Sequence, residues 1–201
     1  MRSEVDRPTE PCNGPGMKPE PTIIIDTREQ HPLDFPNLPA TVGTLDTGDY
    51  SIVGLTHLVA VERKSIDDLL ACIGRERVRF KRELQRLRAY RFRLLVVEAS
   101  AADLEAGLSG LVPWRSSLQP SHVVGSLAAW TAQYGLPVWL AGDHAGAGRF
   151  VQRYLYQCAR TVANEYEAAT GFLPGTEPAG AWDGPETALH ISRNGWRERK
   201  P

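Results

Sequence analysis

Apolar residues fall in short runs separated by proline, glycine and charge, and the spacing within each run predicts its element. "TIIID" (22–26) is β-branched and reads as a strand. Prolines at 32, 36 and 39 then exclude regular structure from "REQHPLDFPNLPA". A short strand is expected near Thr41–Leu45. "GDYSIV" and "THLVAVERK" form two further strands about Gly54, the pattern of a hairpin. Ser65 is placed to cap a helix over "IDDLLACI", with Asp67 and Asp68 in the first turn, where negative charge suits the helix dipole. That helix ends at Gly74. A second, over about 76–90, carries Phe80, Leu84 and Leu87 on one face.

"FRLLVVEA" (92–99) is a near-continuous apolar run, as expected of a strand covered on both faces. A helix over "PSHVVGSLAAWTAQYG", a strand at "LPVWLAG" and a long helix over "AGRFVQRYLYQCARTVANEYEAA" complete the pattern. Strands alternate with helices in the second half and form a hairpin in the first. The fold class is therefore α/β, a mixed central sheet flanked by helices. Residues 1–20 are proline, glycine and charge, and a disordered tail is expected there. Residues 171–201 are again Gly/Pro-rich and are expected to form a flexible tail outside the core, leaving one domain over 21–170.

Composition narrows the class. Three scattered cysteines without CxxC spacing argue against a zinc site and favour a reducing compartment. The amino terminus resembles neither a signal peptide nor a membrane anchor. A cytoplasmic protein is expected, nucleoid-associated or, in a eukaryote, nuclear. The net charge of −1 conceals an asymmetry: nine basic and two acidic residues lie between Arg75 and Arg93, a local +7 that the rest of the chain balances at −8. Arg75, Arg79, Arg82 and Arg86 recur at helical spacing, and so basic a face suits phosphate contact with DNA. "GDHAGAG" (142–148) lacks phosphate-loop spacing and reads as a helix-start loop. Phe150, Tyr154, Leu155, Cys158 and Val162 form a stripe suited either to the core or to a subunit interface.

The candidate chemistry lies where the hairpin ends. Side chains alternate along a strand, so Glu62 and Lys64 share one face while Arg63 takes the other. An even-numbered connecting loop, for example Leu55–Thr56, sets Asp49 opposite Glu62; an odd one sends it to the other face. The even register gathers Asp49, Glu62 and Lys64. Two adjacent carboxylates repel unless a cation sits between them, and oxygen ligands suit Mg²⁺ or Mn²⁺. Such a site fits phosphodiester hydrolysis.

"IIIDTRE", "TGDY" and "VERKSIDD" together resemble the XPF family of structure-specific DNA nucleases, whose signature is Gly-Asp, a spacer, Glu-Arg-Lys and an Asp four residues later. Here these are Gly48-Asp49, Glu62-Arg63-Lys64 and Asp68. The resemblance covers about three quarters of the chain. It implies a restriction-endonuclease-like fold and metal-dependent cleavage of branched, flapped or forked DNA, in repair or recombination. It further implies Asp49 and Glu62 as metal ligands, Lys64 as base or electrostatic stabiliser, and Asp26 as an additional acid at the metal. Arg28, Glu29, Arg63 and Asp68 would support them. Asp26 equally suits loop capping, and Arg28 and Glu29 a local ion pair. The resemblance implies a homodimer or heterodimer through the C-terminal helices. The sequence after Thr170 is too short and too rich in Gly and Pro for the tandem helix-hairpin-helix modules of better-known members. A non-catalytic DNA-binding or dimerisation module, and a nuclease acting on linear DNA or RNA, are the alternatives.

Overall fold

A computed structural model of the protein describes residues 19–105 and 118–171. Most of the two expected tails, with the terminal "RNGWRERKP", lies outside the described residues. β1 (Ile23–Asp26) and β2 (Ala40–Gly43) pair in parallel, while β3 (Tyr50–Ile52) pairs antiparallel with both β1 and β4 (Val59–Lys64). β5 (Phe92–Val97) and β6 (Val138–Leu140) extend the sheet in parallel, giving the order β2-β1-β3-β4-β5-β6. The mixed sheet and its flanking helices are the architecture expected.

Continuous apolar runs in β4 and β5 follow from burial on both faces. Ala60, Leu95 and Val97 point to one core, built with α1 (Ile66–Ile73), α2 (Arg77–Leu87) and α4 (Pro120–Tyr134). Val59, Val61, Leu94 and Val96 point to the other, covered by Val151, Leu155 and Cys158 of α5 (His144–Thr170). The stripe on α5 is therefore core, with Phe150 and Tyr154 packed at its margin. A short helix, α3 (Ala101–Glu105), was not expected from the sequence.

Parallel strands need a long crossover, usually helical. Between β1 and β2 this crossover is the proline-broken segment from Thr27 to Pro39. Leu33, Phe35 and Leu38 fold it into the α5-side core. The Leu33 N–H donates to the Tyr50 hydroxyl (3.0 Å) and the Asn37 N–H to Gln152 Oε1 (3.0 Å). "GDHAGAG" is mostly helix rather than loop, since α5 starts at His144 with Asp143 as its cap. Gly148 serves close packing: a Cβ there would stand 2.9 Å from the Asp34 carbonyl oxygen.

Candidate active site

Gly48 fixes how β3 meets β4. Its φ of 81° is left-handed, and a Cβ there would stand 2.9 Å from the Val61 carbonyl oxygen, so glycine alone fits. Tyr50 then pairs with Val61. This is the even register, and the next position on each strand is Asp49 and Glu62. The connection is longer than two residues, running from Val53 to Leu58. The Asp49 N–H donates to the Val61 carbonyl (2.8 Å), and Asp49 Oδ2 accepts from the Arg63 N–H (2.7 Å). Lys64 Nζ donates to Glu62 Oε1 and to the Arg63 carbonyl (3.2 Å), and lies over the Phe80 ring at 5.5 Å. Sequence neighbours on one strand and a facing residue on the next thus bring Asp49, Glu62 and Lys64 together.

Their electrostatics are strained in a useful direction. Burial, reinforced by the like charge of Asp49 and only partly offset by Lys64, pushes the Glu62 carboxyl up to about 7. Burial also raises Asp49, against the opposing charge of Lys64. Lys64 is raised as well: burial disfavours its charge, but Glu62 and Asp49 outweigh this and hold it as an ammonium. The pair of acids lacks one positive charge, and a cation would supply it.

Arg63 points to the opposite face. Its Nε and Nη2 grip Glu29 (3.0 and 3.0 Å), and Nη1 donates to Glu98 Oε1 (2.9 Å). Glu98 Oε1 also lies 2.7 Å from His144 Nδ1. Gln30, His31, Arg63, Ser65, Asp68, Glu98 and His144 line an open cleft of about 510 Å³ here. Glu98 and His144 were missed in the sequence. Glu98 had a signal, since an acid closing the apolar run "RLLVVEA" repeats the logic of Glu62. Glu83 of α2 was missed too; its charge reaches both Glu62 and Arg28.

Asp26, expected as an additional acid at the metal, has both carboxylate oxygens engaged within the protein. Oδ1 accepts from the N–H (2.8 Å) and Nε (2.6 Å) of Arg28; Oδ2 accepts from Arg28 Nη2 (3.1 Å) and the Leu45 N–H (2.7 Å). Asp26 therefore pins the start of the proline segment to Leu45, two residues beyond β2, and Arg28 pairs with Asp26, not with Glu29. The basic stripe is also less free than its spacing suggests. Arg75 and Arg79 approach Glu76, and Arg86 pairs with Glu83, which leaves Arg82 as the one of the four without an ion pair among the described residues. Asp68 exchanges hydrogen bonds with Ser65 at the start of α1 (2.7 and 3.2 Å) while facing the cleft.

The occupied Asp26 carboxylate predicts a pH-dependent loss. Burial works against its charge, but Arg28 and two backbone N–H groups outweigh this and hold it below the usual 3.8. The stabilisation is thus present above about pH 4 and lost as pH falls through the lowered value. Asp26→Asn, whose NH₂ would confront a donor, is expected to cost about 2 kcal/mol at pH 7. In urea titrations that gap should narrow as pH falls through the lowered value. A gap independent of pH would count against the charge.

A mixed sheet that brings two carboxylates and a lysine to the ends of adjacent strands defines a restriction-endonuclease-like nuclease domain. The ERCC4 domain model matches residues 25–154, well over half of the chain, and the chain belongs to the ERCC4 domain family. Its structure is similar to that of XPF from Aeropyrum pernix, with a TM-score of 0.54 at 20% identity over 78% of this chain and 76% of that one. The same protein in complex with DNA gives 0.53 and 20% over 76% of each chain. At this identity the likeness is one of fold. Comparison with curated proteins finds no match. No helix among the described residues is long and apolar enough to cross a membrane.

Proposed function

We propose that this chain is a metal-dependent endonuclease that hydrolyses phosphodiester bonds in branched, flapped or forked DNA, in repair or recombination. The observation that carries the reading is the juxtaposition of buried Glu62 with half-buried Asp49 and Lys64. Two protein carboxylates are the complement Mg²⁺ takes when it keeps waters and accepts a phosphate. Asp49 and Glu62 would hold Mg²⁺ or Mn²⁺, which would supply Lewis-acid polarisation of the scissile phosphate. Lys64, held as an ammonium, stabilises charge developing on the phosphate and is poorly suited to act as the base. The Arg63 guanidinium holds Glu29 and Glu98 on the opposite face and keeps the end of β4 in place. Lys81, Arg82 and Arg88 of α2 and its cap are exposed without ion pairs among the described residues, and they suit sequence-independent phosphate contacts. The DNA complex of the Aeropyrum pernix protein supports DNA as the ligand class. A homodimer or heterodimer belongs to this reading, but the α5 stripe is used inside the fold.

The test is cleavage of end-labelled fork, flap, linear duplex and single-stranded DNA with Mg²⁺, Mn²⁺ or chelator. Metal-dependent cuts near the branch are expected. Binding without cutting under every metal condition would instead favour a non-catalytic module, and equal cutting of linear duplex would remove the branch from the reading.

A further inference from the structure

A second basic stripe lies on the far side of the sheet from α2. Arg149, Arg153 and Arg160 of α5 are exposed, and none has an ion pair among the described residues. At about 100° per residue the three fall within an arc of roughly 40°, opposite the buried Val151, Leu155 and Cys158. They extend about 16 Å along the helix at 1.5 Å per residue. In the distal part of α5, Glu165 is taken by Arg91 through two hydrogen bonds.

An aromatic surface adjoins the stripe. On the edge strand β6, Val138 and Leu140 pack into the α4-side core, and Trp139 turns toward α5. Its indole lies flat on Phe150, with centroids 4.0 Å apart and planes 5° apart, yet Trp139 remains 46% exposed. Phe150 backs it from the core side and is itself stacked toward Tyr154 at 6.4 Å. Arg149 precedes Phe150 and Arg153 follows within one turn. A fixed indole, open on its outer side and flanked by unpaired guanidiniums, has the two components of a single-strand platform: a π-face for a base and positive charge for its backbone.

We propose that Trp139 with Arg149, Arg153 and Arg160 binds single-stranded nucleic acid, taking the unpaired arm of a branched substrate. This rests on DNA being the substrate. Charge decides the occupant: three unmatched arginines suit a polyanion, whereas a second copy docking the same face about a two-fold axis would oppose arginine to arginine.

The experiment compares fluorescent oligo-dT with a blunt duplex in anisotropy titrations over a range of salt. The proteins are wild type, Trp139→Ala, Trp139→Phe and the triple Arg149→Ala/Arg153→Ala/Arg160→Ala variant, each checked by thermal unfolding. Trp139→Ala should weaken oligo-dT binding about tenfold, and Trp139→Phe should restore most of it. The triple variant should flatten the log–log salt slope by about 2, from roughly 0.7 per lost phosphate contact. Losses on oligo-dT should exceed those on duplex several-fold. Wild-type duplex binding with unaltered oligo-dT affinity in the variants would overturn the inference and leave the nuclease reading standing. If wild type binds neither DNA, both fail. Variants that lose a dimer in sedimentation while keeping their DNA affinity would make this face a subunit contact and overturn the inference.

Discussion

Glu62→Gln is expected to lower metal-dependent fork cleavage about a thousandfold while leaving fork binding in place. The change preserves shape and removes only the charge. Glu62 is buried beside half-buried Asp49 and Lys64, so nearby water can do little to replace its lost carboxylate. An amide offers a divalent cation one neutral oxygen, and with Asp49 as the remaining acid the pair no longer balances it. Lys64 keeps Asp49 as an opposite charge, so the fold should survive. Cleavage is read from initial rates at saturating Mg²⁺, with binding by anisotropy and folding by circular dichroism. A variant that cuts within tenfold of wild type would remove Glu62 from the chemistry, whereas loss of binding alongside cleavage would mean a disrupted fold.

Arg63→Met should destabilise the domain by about 3–5 kcal/mol, the usual cost of leaving a buried ion without its partner. The Arg63 and Glu29 side chains are only 8% and 5% exposed, so neither carboxylate nor guanidinium is well hydrated. Removing the guanidinium strands Glu29 in the fold and deprives Glu98 of its cationic neighbour. The sign with pH follows. In the wild type Arg63 outweighs burial and holds Glu29 below its ordinary value, so the pair stabilises above about pH 4.5 and that contribution is lost as pH falls. In the variant Glu29 should titrate upward, and the deficit should shrink toward acid pH as it protonates. Adding Glu29→Gln should recover part of the loss. A deficit below about 1 kcal/mol in urea titration, or one unchanged between neutral and acid pH, would show that the pair does not brace β4.

Much of this was legible in the sequence because it is local. The alternation of "VERK" separates Glu62 and Lys64 from Arg63 whatever the rest of the chain does. Ser65 accepts the Asp68 N–H, as its place before "IDDLL" suggests, and α1 stops at Gly74. The hairpin register needed only the assumption of an even loop. What was not legible depends on approach in space. Glu98 and His144 meet across 46 positions because β4 and β5 run in register and α5 begins beside their ends. Arg28 could be placed with Glu29 by adjacency, but the turn after β1 folds its guanidinium back onto Asp26. The arginine helix was legible only in part for a related reason: spacing shows which residues share a face, not which pair with Glu76, Glu83 or a carbonyl. Arg77, for instance, turns to the Ile73 carbonyl and Ser126.

The proline segment between β1 and β2 has a mechanical meaning. Asp26 clamps its entry, the Tyr50 hydroxyl and Gln152 hold its middle, and Gly148 lets α5 press against it. A wall braced at so many points costs little entropy to order when a ligand arrives. It also cannot mould itself around a stiff rod. On the proposed reading, were the duplex to lie against this wall, the bending would fall on the nucleic acid, and a duplex interrupted by a branch or an unpaired stretch bends more cheaply than an intact one. Selection among substrates would then be made by compliance: rigidity in the protein would be a gauge of weakness in the DNA.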